Sequence, residues 1–266
     1  MPVMTLACSS VGDGPPLLIL HGLFGAGHNW ARIAKHMAGQ GWRVLSPDLR
    51  NHGTSPWADT MTYPAMADDL SALLDAKADG GPALVIGHSM GGKAAMWLAL
   101  TEPARVRGLV AVDVAPVAYP PGRVIEAYAQ AMQALPLDQL TRRADADAAL
   151  TDAVPERGIR AFLLQNLDLP GPEGGSARWR LNLDVLAAAL PTITGWPNTP
   201  PEAHYEGPTL ALFGEASGYV RPDHHAAMRA LFPAVRFEGI PDAGHWVHAE
   251  NPPATLAALE RFLQTV

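Results

Sequence analysis

The amino-acid sequence predicts an α/β fold: a mostly parallel central sheet with helices on both faces and one helical insertion. Three observations point there. Short apolar runs recur that suit strands buried on both faces, such as Leu17-Leu18-Ile19-Leu20 and Ala83-Leu84-Val85-Ile86. Segments with helical spacing lie between them, which implies right-handed crossovers between parallel strands. One stretch, from about residue 117 to 200, breaks this alternation and is Pro-punctuated and almost wholly helical in pattern.

The first run, Leu17–Leu20, ends at His21-Gly22, and Trp30, Ile33, Ala34 and Met37 then recur at helix spacing. A second strand, Trp42–Ser46, leads into Asp48-Leu49-Arg50-Asn51-His52-Gly53-Thr54-Ser55. That polar stretch reads as a structured loop that shapes a site without doing its chemistry. Met66, Leu70, Leu73 and Leu74 mark the next helix. Ala83–Gly87 is a strand, and Met90 to Leu100 is a helix rich in Ala, Met and Leu that stops before Pro103. Gly108–Asp113 is a fourth strand. Three apolar stripes follow: Val124, Tyr128 and Ala131; Ile159, Phe162, Leu163 and Asn166; Leu181, Val185, Leu186 and Ala189. They are expected to form a cap at 117–200 over a core made of 1–116 and 201–266. Strands at Thr209–Phe213 and Val235–Gly239 alternate with helices at Asp223–Leu231 and Pro253–Leu263.

A chain of 266 residues, 48% hydrophobic, can bury one large core. The net charge of -7, with no basic stripe, argues against a nucleic-acid partner. Cys8 is the single cysteine, so no intrachain disulfide can form; it reads as a small apolar residue of an early strand. The opening MPVMTLACSSVGDGPP has neither a basic run before an apolar core nor a membrane-length apolar run. A cytoplasmic protein without membrane insertion is expected, with a homodimer left open.

The stretch Gly87-His88-Ser89-Met90-Gly91-Gly92-Lys93-Ala94 fits two chemistries. A phosphate-binding loop needs Ser or Thr after the lysine to hold magnesium, and Ala94 stands there. A nucleophile elbow needs small residues two positions either side of a serine in a sharp strand-to-helix turn, and Gly87 and Gly91 stand there. Ser89 would then be the nucleophile and the Met90 N–H an oxyanion donor. Two distant segments agree. His21-Gly22-Leu23-Phe24 follows a strand and can aim the Leu23 N–H at the same oxyanion. Ala243-Gly244-His245-Trp246 follows the last strand and offers His245 as the base a serine needs. His28, His36, His204 and His248 read as surface or packing residues, and His224-His225 lacks a third ligand at metal spacing, so no metal is expected.

A carboxylate must hold the histidine tautomer. Asp113 ranks first because it ends a rigid strand at the right edge of the sheet; Glu215 and Asp184 follow. Phe24, Trp179, Trp196 and Trp246 are candidates for an apolar acyl pocket.

With these segments identified, the chain resembles the alpha/beta-hydrolases, and within them the YbfF-type bacterial esterases and their mitochondrial relatives. LHGLFG, DLRNHGTS, YPAMADDL, GHSMGGKA, VDVAP, WRLNLD and AGHWVHAENP carry the resemblance. It implies a cofactor-free esterase with Ser89 as nucleophile, His245 as base and Asp113 as acid, and no phosphate role for Lys93. Glu215 departs from the nearer relatives, while WRLNLD keeps Asp184 open. The expected activity is hydrolysis of small, short-chain acyl esters. The same triad also serves thioesterases, lactonases, amidases and C–C hydrolases, and a receptor-like binding protein can retain it.

Overall fold

Alternating apolar runs and helices assemble around one seven-stranded sheet, seen in a computed structural model that describes all residues except Met1, Asp79, Pro121 and Pro172. The strands are β1 (Cys8–Val11), β2 (Pro16–Leu20), β3 (Arg43–Pro47), β4 (Ala83–His88), β5 (Val106–Val112), β8 (Thr209–Gly214) and β9 (Val235–Ile240). Their spatial order is β1-β3-β2-β4-β5-β8-β9, and every pairing is parallel except β1 with β3. β2, β4 and β5 lie in the middle and are almost wholly buried, as their unbroken Val, Ile and Leu runs require.

Alternate side chains serve two cores. Leu17, Ile19, Leu84, Ile86, Val110 and Val112 face α1 (Ala31–Gly39) and α11 (Pro252–Leu263). Leu18, Leu20, Val85, Leu109 and Ala111 face the opposite side, with α2 (Tyr63–Lys77) and α3 (Met90–Thr101). α2 starts on the Thr62 side chain and carries Pro64 in its first turn, a pre-organised helix start.

Between β5 and β8 the chain leaves the sheet. It forms α4 (Arg123–Gln133), α5 (Arg143–Leu150), α6 (Arg157–Leu164), the short hairpin β6 (Leu167–Asp168) and β7 (Arg178–Trp179), then α7 (Leu183–Ala188) and α8 (Leu190–Thr194). The sequence stripes predict α4, α6 and α7; the hairpin and α5 go beyond them. After β8 come α9 (His225–Leu231), β9, α10 (Val247–Glu250) and α11. No helix among the described residues is long and apolar enough to cross a membrane.

Candidate active site

Ser89 sits where β4 turns sharply into α3. Its backbone is in the left-handed region (φ 52°, ψ −119°), a costly conformation for a non-glycine residue. The turn closes only because its neighbours lack side chains. A Cβ on Gly87 would lie 2.3 Å from the Gly91 carbonyl oxygen, and one on Gly91 would lie 2.5 Å from that of His21. The Ser89 N–H donates to Val112 O (3.0 Å), pinning the turn to β5. The hydroxyl thus stands over the carboxyl edge of the sheet, at the positive end of α3.

Asp113 follows directly on β5 and is fully buried, also with positive φ (50°). Its Oδ2 accepts from His245 Nδ1 (2.7 Å) and from the Ser217 hydroxyl (2.6 Å), and its Oδ1 from the Gly214 N–H (3.3 Å). A carboxylate on Nδ1 leaves Nε2 of His245 as the free basic nitrogen. The imidazole is stacked on Tyr219 at 4.2 Å. Of the other acids named from the sequence, Glu215 is exposed, and Asp184 is exposed and accepts from Gln133 Nε2 (2.7 Å). Ser89 Oγ makes no hydrogen bond among the described residues; such contacts commonly tighten only when substrate is bound.

Two loops lock together beside Ser89. In the turn after β2, the Gly25 N–H donates to Gly22 O (3.0 Å). The loop after β3 braces it three times: the Leu49 N–H donates to His21 Nε2 (2.9 Å), the Phe24 N–H to His52 Nε2 (3.2 Å), and the Gly27 N–H to Asp48 Oδ1 (2.8 Å). Both histidines are buried acceptors and must be neutral. Burial pushes the pKa of His21 down to about 4 and that of His52 to about 3. The loop is itself anchored by the buried pair Arg50–Asp69 (Nε to Oδ2, 2.7 Å). The N–H groups of Leu23 and Met90 have no hydrogen-bond partner among the described residues.

Ser89, His245, Leu23 and Phe24 line a cavity of about 480 Å³. Its other walls are chiefly apolar, from Ile125 and Tyr128 of α4, Phe162 of α6, and Trp246. A more open hollow of about 580 Å³, bordered by Arg143, Asp147 and Arg157, contains none of these groups. Trp179 does not reach the cavity. The β6–β7 hairpin turns it into the insertion's own core, where its indole N–H donates to Met132 O (3.1 Å). Trp196 packs instead on Tyr63 and Trp97.

Several further residues bear on the site through remote partners that the sequence does not reveal. The His88 ring bonds through Nε2 to the carbonyl of His245 (2.8 Å), tying the His245 loop to the β4–α3 turn. Burial, with His245 and His248 nearby, holds its pKa well below the ordinary value. His248 stacks on Trp30 at 4.1 Å and lines the cavity, and burial lowers its pKa to about 4. Lys93 is buried, and its Nζ donates to Val117 O (2.9 Å), Thr194 O (2.8 Å) and Gly195 O (2.6 Å), at both stems of the insertion. Burial pushes its pKa down to about 7, but three acceptors match the three donors of the ammonium form. No cluster of three or more His, Cys, Asp or Glu suited to a metal ion occurs among the described residues.

Residues 15–252 match the model of the alpha/beta hydrolase fold family. The chain is 44% identical over 254 residues to the "sn-1-specific diacylglycerol lipase ABHD11" of Mus musculus, covering 94% of this chain and 81% of that protein. It is 39% identical over 251 residues to "Esterase YbfF" of Escherichia coli, covering 94% of each. A solved structure described as "Marine microorganism esterase" superposes with a TM-score of 0.92 at 32% identity, covering 97% of this chain and 99% of that one.

Proposed function

Because the chain belongs to the alpha/beta hydrolase fold family, we propose that it is a serine carboxylesterase acting on small, short-chain acyl esters. One observation carries this reading: the Asp113–His245 pair, 2.7 Å apart, opens on the same apolar cavity as the strained Ser89. His245 Nε2 takes the Ser89 proton as Oγ attacks the ester carbonyl. Asp113 accepts from Nδ1 and stabilises the imidazolium that forms. The N–H groups of Leu23 and Met90 receive the developing oxyanion, each worth about 100-fold or more. Collapse of the tetrahedral intermediate expels the alcohol, which takes its proton from His245 and leaves an acyl-serine. A water, deprotonated by His245, then attacks the acyl carbonyl and releases the acid and free Ser89.

The insertion between β5 and β8 acts as a cap, contributing Ile125, Tyr128 and Phe162 to the acyl pocket beside Phe24 and Trp246. Acylglycerol hydrolysis is a second reading, favoured by those apolar walls and by the activity named for the mouse relative.

The test combines covalent labelling with turnover. A fluorophosphonate should modify Ser89 in the folded protein, and p-nitrophenyl acetate should be hydrolysed; Ser89→Ala should lose both. Failure to label Ser89 overturns the hydrolase reading, and labelling without turnover favours a binding role. Comparing p-nitrophenyl acetate and butyrate with long-chain and diacylglycerol substrates separates the two ester classes.

A further inference from the structure

Phe24 is a bulky residue with a left-handed backbone (φ 59°), a conformation that needs outside support. Two buried side chains from opposite sides of the site supply it. The Phe24 N–H donates to His52 Nε2 (3.2 Å), while His52 Nδ1 bonds to Arg50 O (2.9 Å) and so fixes the tautomer. The Phe24 carbonyl accepts from Asn166 Nδ2 (2.7 Å), which also donates to Leu163 O (3.2 Å). Asn166 is only 2% exposed and follows α6, so this support comes from the cap, 142 residues along the chain.

The Phe24–Gly25 peptide is held at both ends, its carbonyl by Asn166 and its N–H by Gly22 O (3.0 Å). The Leu23–Phe24 peptide is held at its N–H by His52. The Leu23 N–H, one peptide earlier, is the donor left over. Its own planar peptide, Gly22–Leu23, is held at the carbonyl end, where Gly22 O accepts from the Gly25 N–H (3.0 Å), so the plane that orients the Leu23 N–H hangs on the Phe24–Gly25 peptide.

We propose that Asn166 is a positioning residue for the oxyanion donor: by holding the Phe24 carbonyl from the cap, it sets the Leu23 N–H in place, so oxyanion stabilisation is complete only when the cap is seated. This rests on the serine-hydrolase reading with Leu23 as a donor. Asn166 touches no reacting atom; it acts through Phe24. A preorganised donor differs from a loosely held one mainly in the transition state, so the effect belongs in kcat rather than KM.

The experiment compares Asn166→Asp and Asn166→Ala with Gln165→Ala. Gln165 also joins cap to core, through His28 and Asn29, but does not touch the oxyanion turn. Rates are normalised to the Ser89 that a fluorophosphonate titrates. Both Asn166 variants should lose about 10- to 100-fold in kcat with KM within about twofold, and should lose affinity for a tetrahedral boronate by a similar factor. Gln165→Ala should keep the parent kcat. In the parent protein, amide hydrogen exchange of the segment 163–168 should slow when the boronate adduct forms. That last readout needs no variant to fold. A parental kcat in the Asn166 variants, an equal loss in Gln165→Ala, or unchanged exchange on adduct formation overturns the proposal. Failure of the parent to label at Ser89 defeats the hydrolase reading instead.

Discussion

Asp113 carries three hydrogen bonds from a fully buried position, one of them to His245. Replacing it with Asn removes the acceptor that selects the productive tautomer of His245. Asp113→Asn should lower kcat by about 10³- to 10⁴-fold with the fold intact by circular dichroism. Glu215→Gln and Asp184→Asn should stay near parental rates, because neither side chain faces His245; equal losses in either would displace Asp113. Lys93 presents a different residue-scale case. Lys93→Met keeps the stem of the side chain but orphans three carbonyls, each costing about 1–3 kcal/mol when buried and unpaired. Its melting temperature should fall clearly, and an unchanged melt would show that water replaces the ammonium at no cost.

At the scale of elements, the β4–α3 turn is held by absence of atoms. A methyl at Gly87 would meet the Gly91 carbonyl at 2.3 Å, and both partners are backbone, so neither can swing aside. Gly87→Ala should cost about 3 kcal/mol or more, placing it in the severe tail of single substitutions. Gly158, in α6, has nothing within 4 Å of an added Cβ. Gly158→Ala should therefore stabilise by about 0.5–1 kcal/mol, since alanine costs less backbone entropy in a helix. Urea titrations of both variants read these opposite signs. The same elements mark what could be read in the sequence. Six strands announce themselves as apolar runs because they are buried, wholly or in part, within a parallel sheet. β1 gives no such run: it is a mostly exposed, antiparallel edge strand. β6 and β7 are too short to show a period, and α5 is largely Ala and Asp. Ser89 and His245 stand out as candidates because their chemistry needs a local Gly pattern and a loop position. Asn166, His52 and His88 do not stand out, because what they do depends on partners 142, 28 and 157 residues away. The same holds for Trp179: an aromatic residue in an insertion serves either the pocket or the insertion's own core, and only the hairpin decides.

The whole molecule is sensitive to acid through its histidines. His21, His52, His88 and His248 are all held below the ordinary value of 6.5 by burial. Unfolding frees each to take a proton near pH 6.5, whereas in the folded protein His21 and His248 resist until about pH 4 and His52 until about pH 3, and His88 is likewise held well below its ordinary value. The unfolded state thus binds more protons across this window, so stability is full above about pH 6.5 and is lost on acidification. Each ring contributes a slope of up to about 1.4 kcal/mol per pH unit. Urea midpoints should fall steeply between about pH 6.5 and 4.5; a flat profile would mean these rings stay accessible to protons. The arrangement at Lys93 also bears on how such a protein can be rebuilt. Both ends of the long excursion between β5 and β8 return to a single nitrogen, which bonds to three of their main-chain oxygens and has one side-chain neighbour in the excursion, the Tyr119 ring at 4.6 Å. Main-chain oxygens carry no sequence identity. A foreign excursion of different length or composition would meet the hydrogen-bonding part of that docking requirement if its two ends came back side by side over α3. The scaffold beneath can therefore accept exchange of the excursion's share of the cavity wall, provided the replacement again supplies what Asn166 gives to the Phe24 carbonyl.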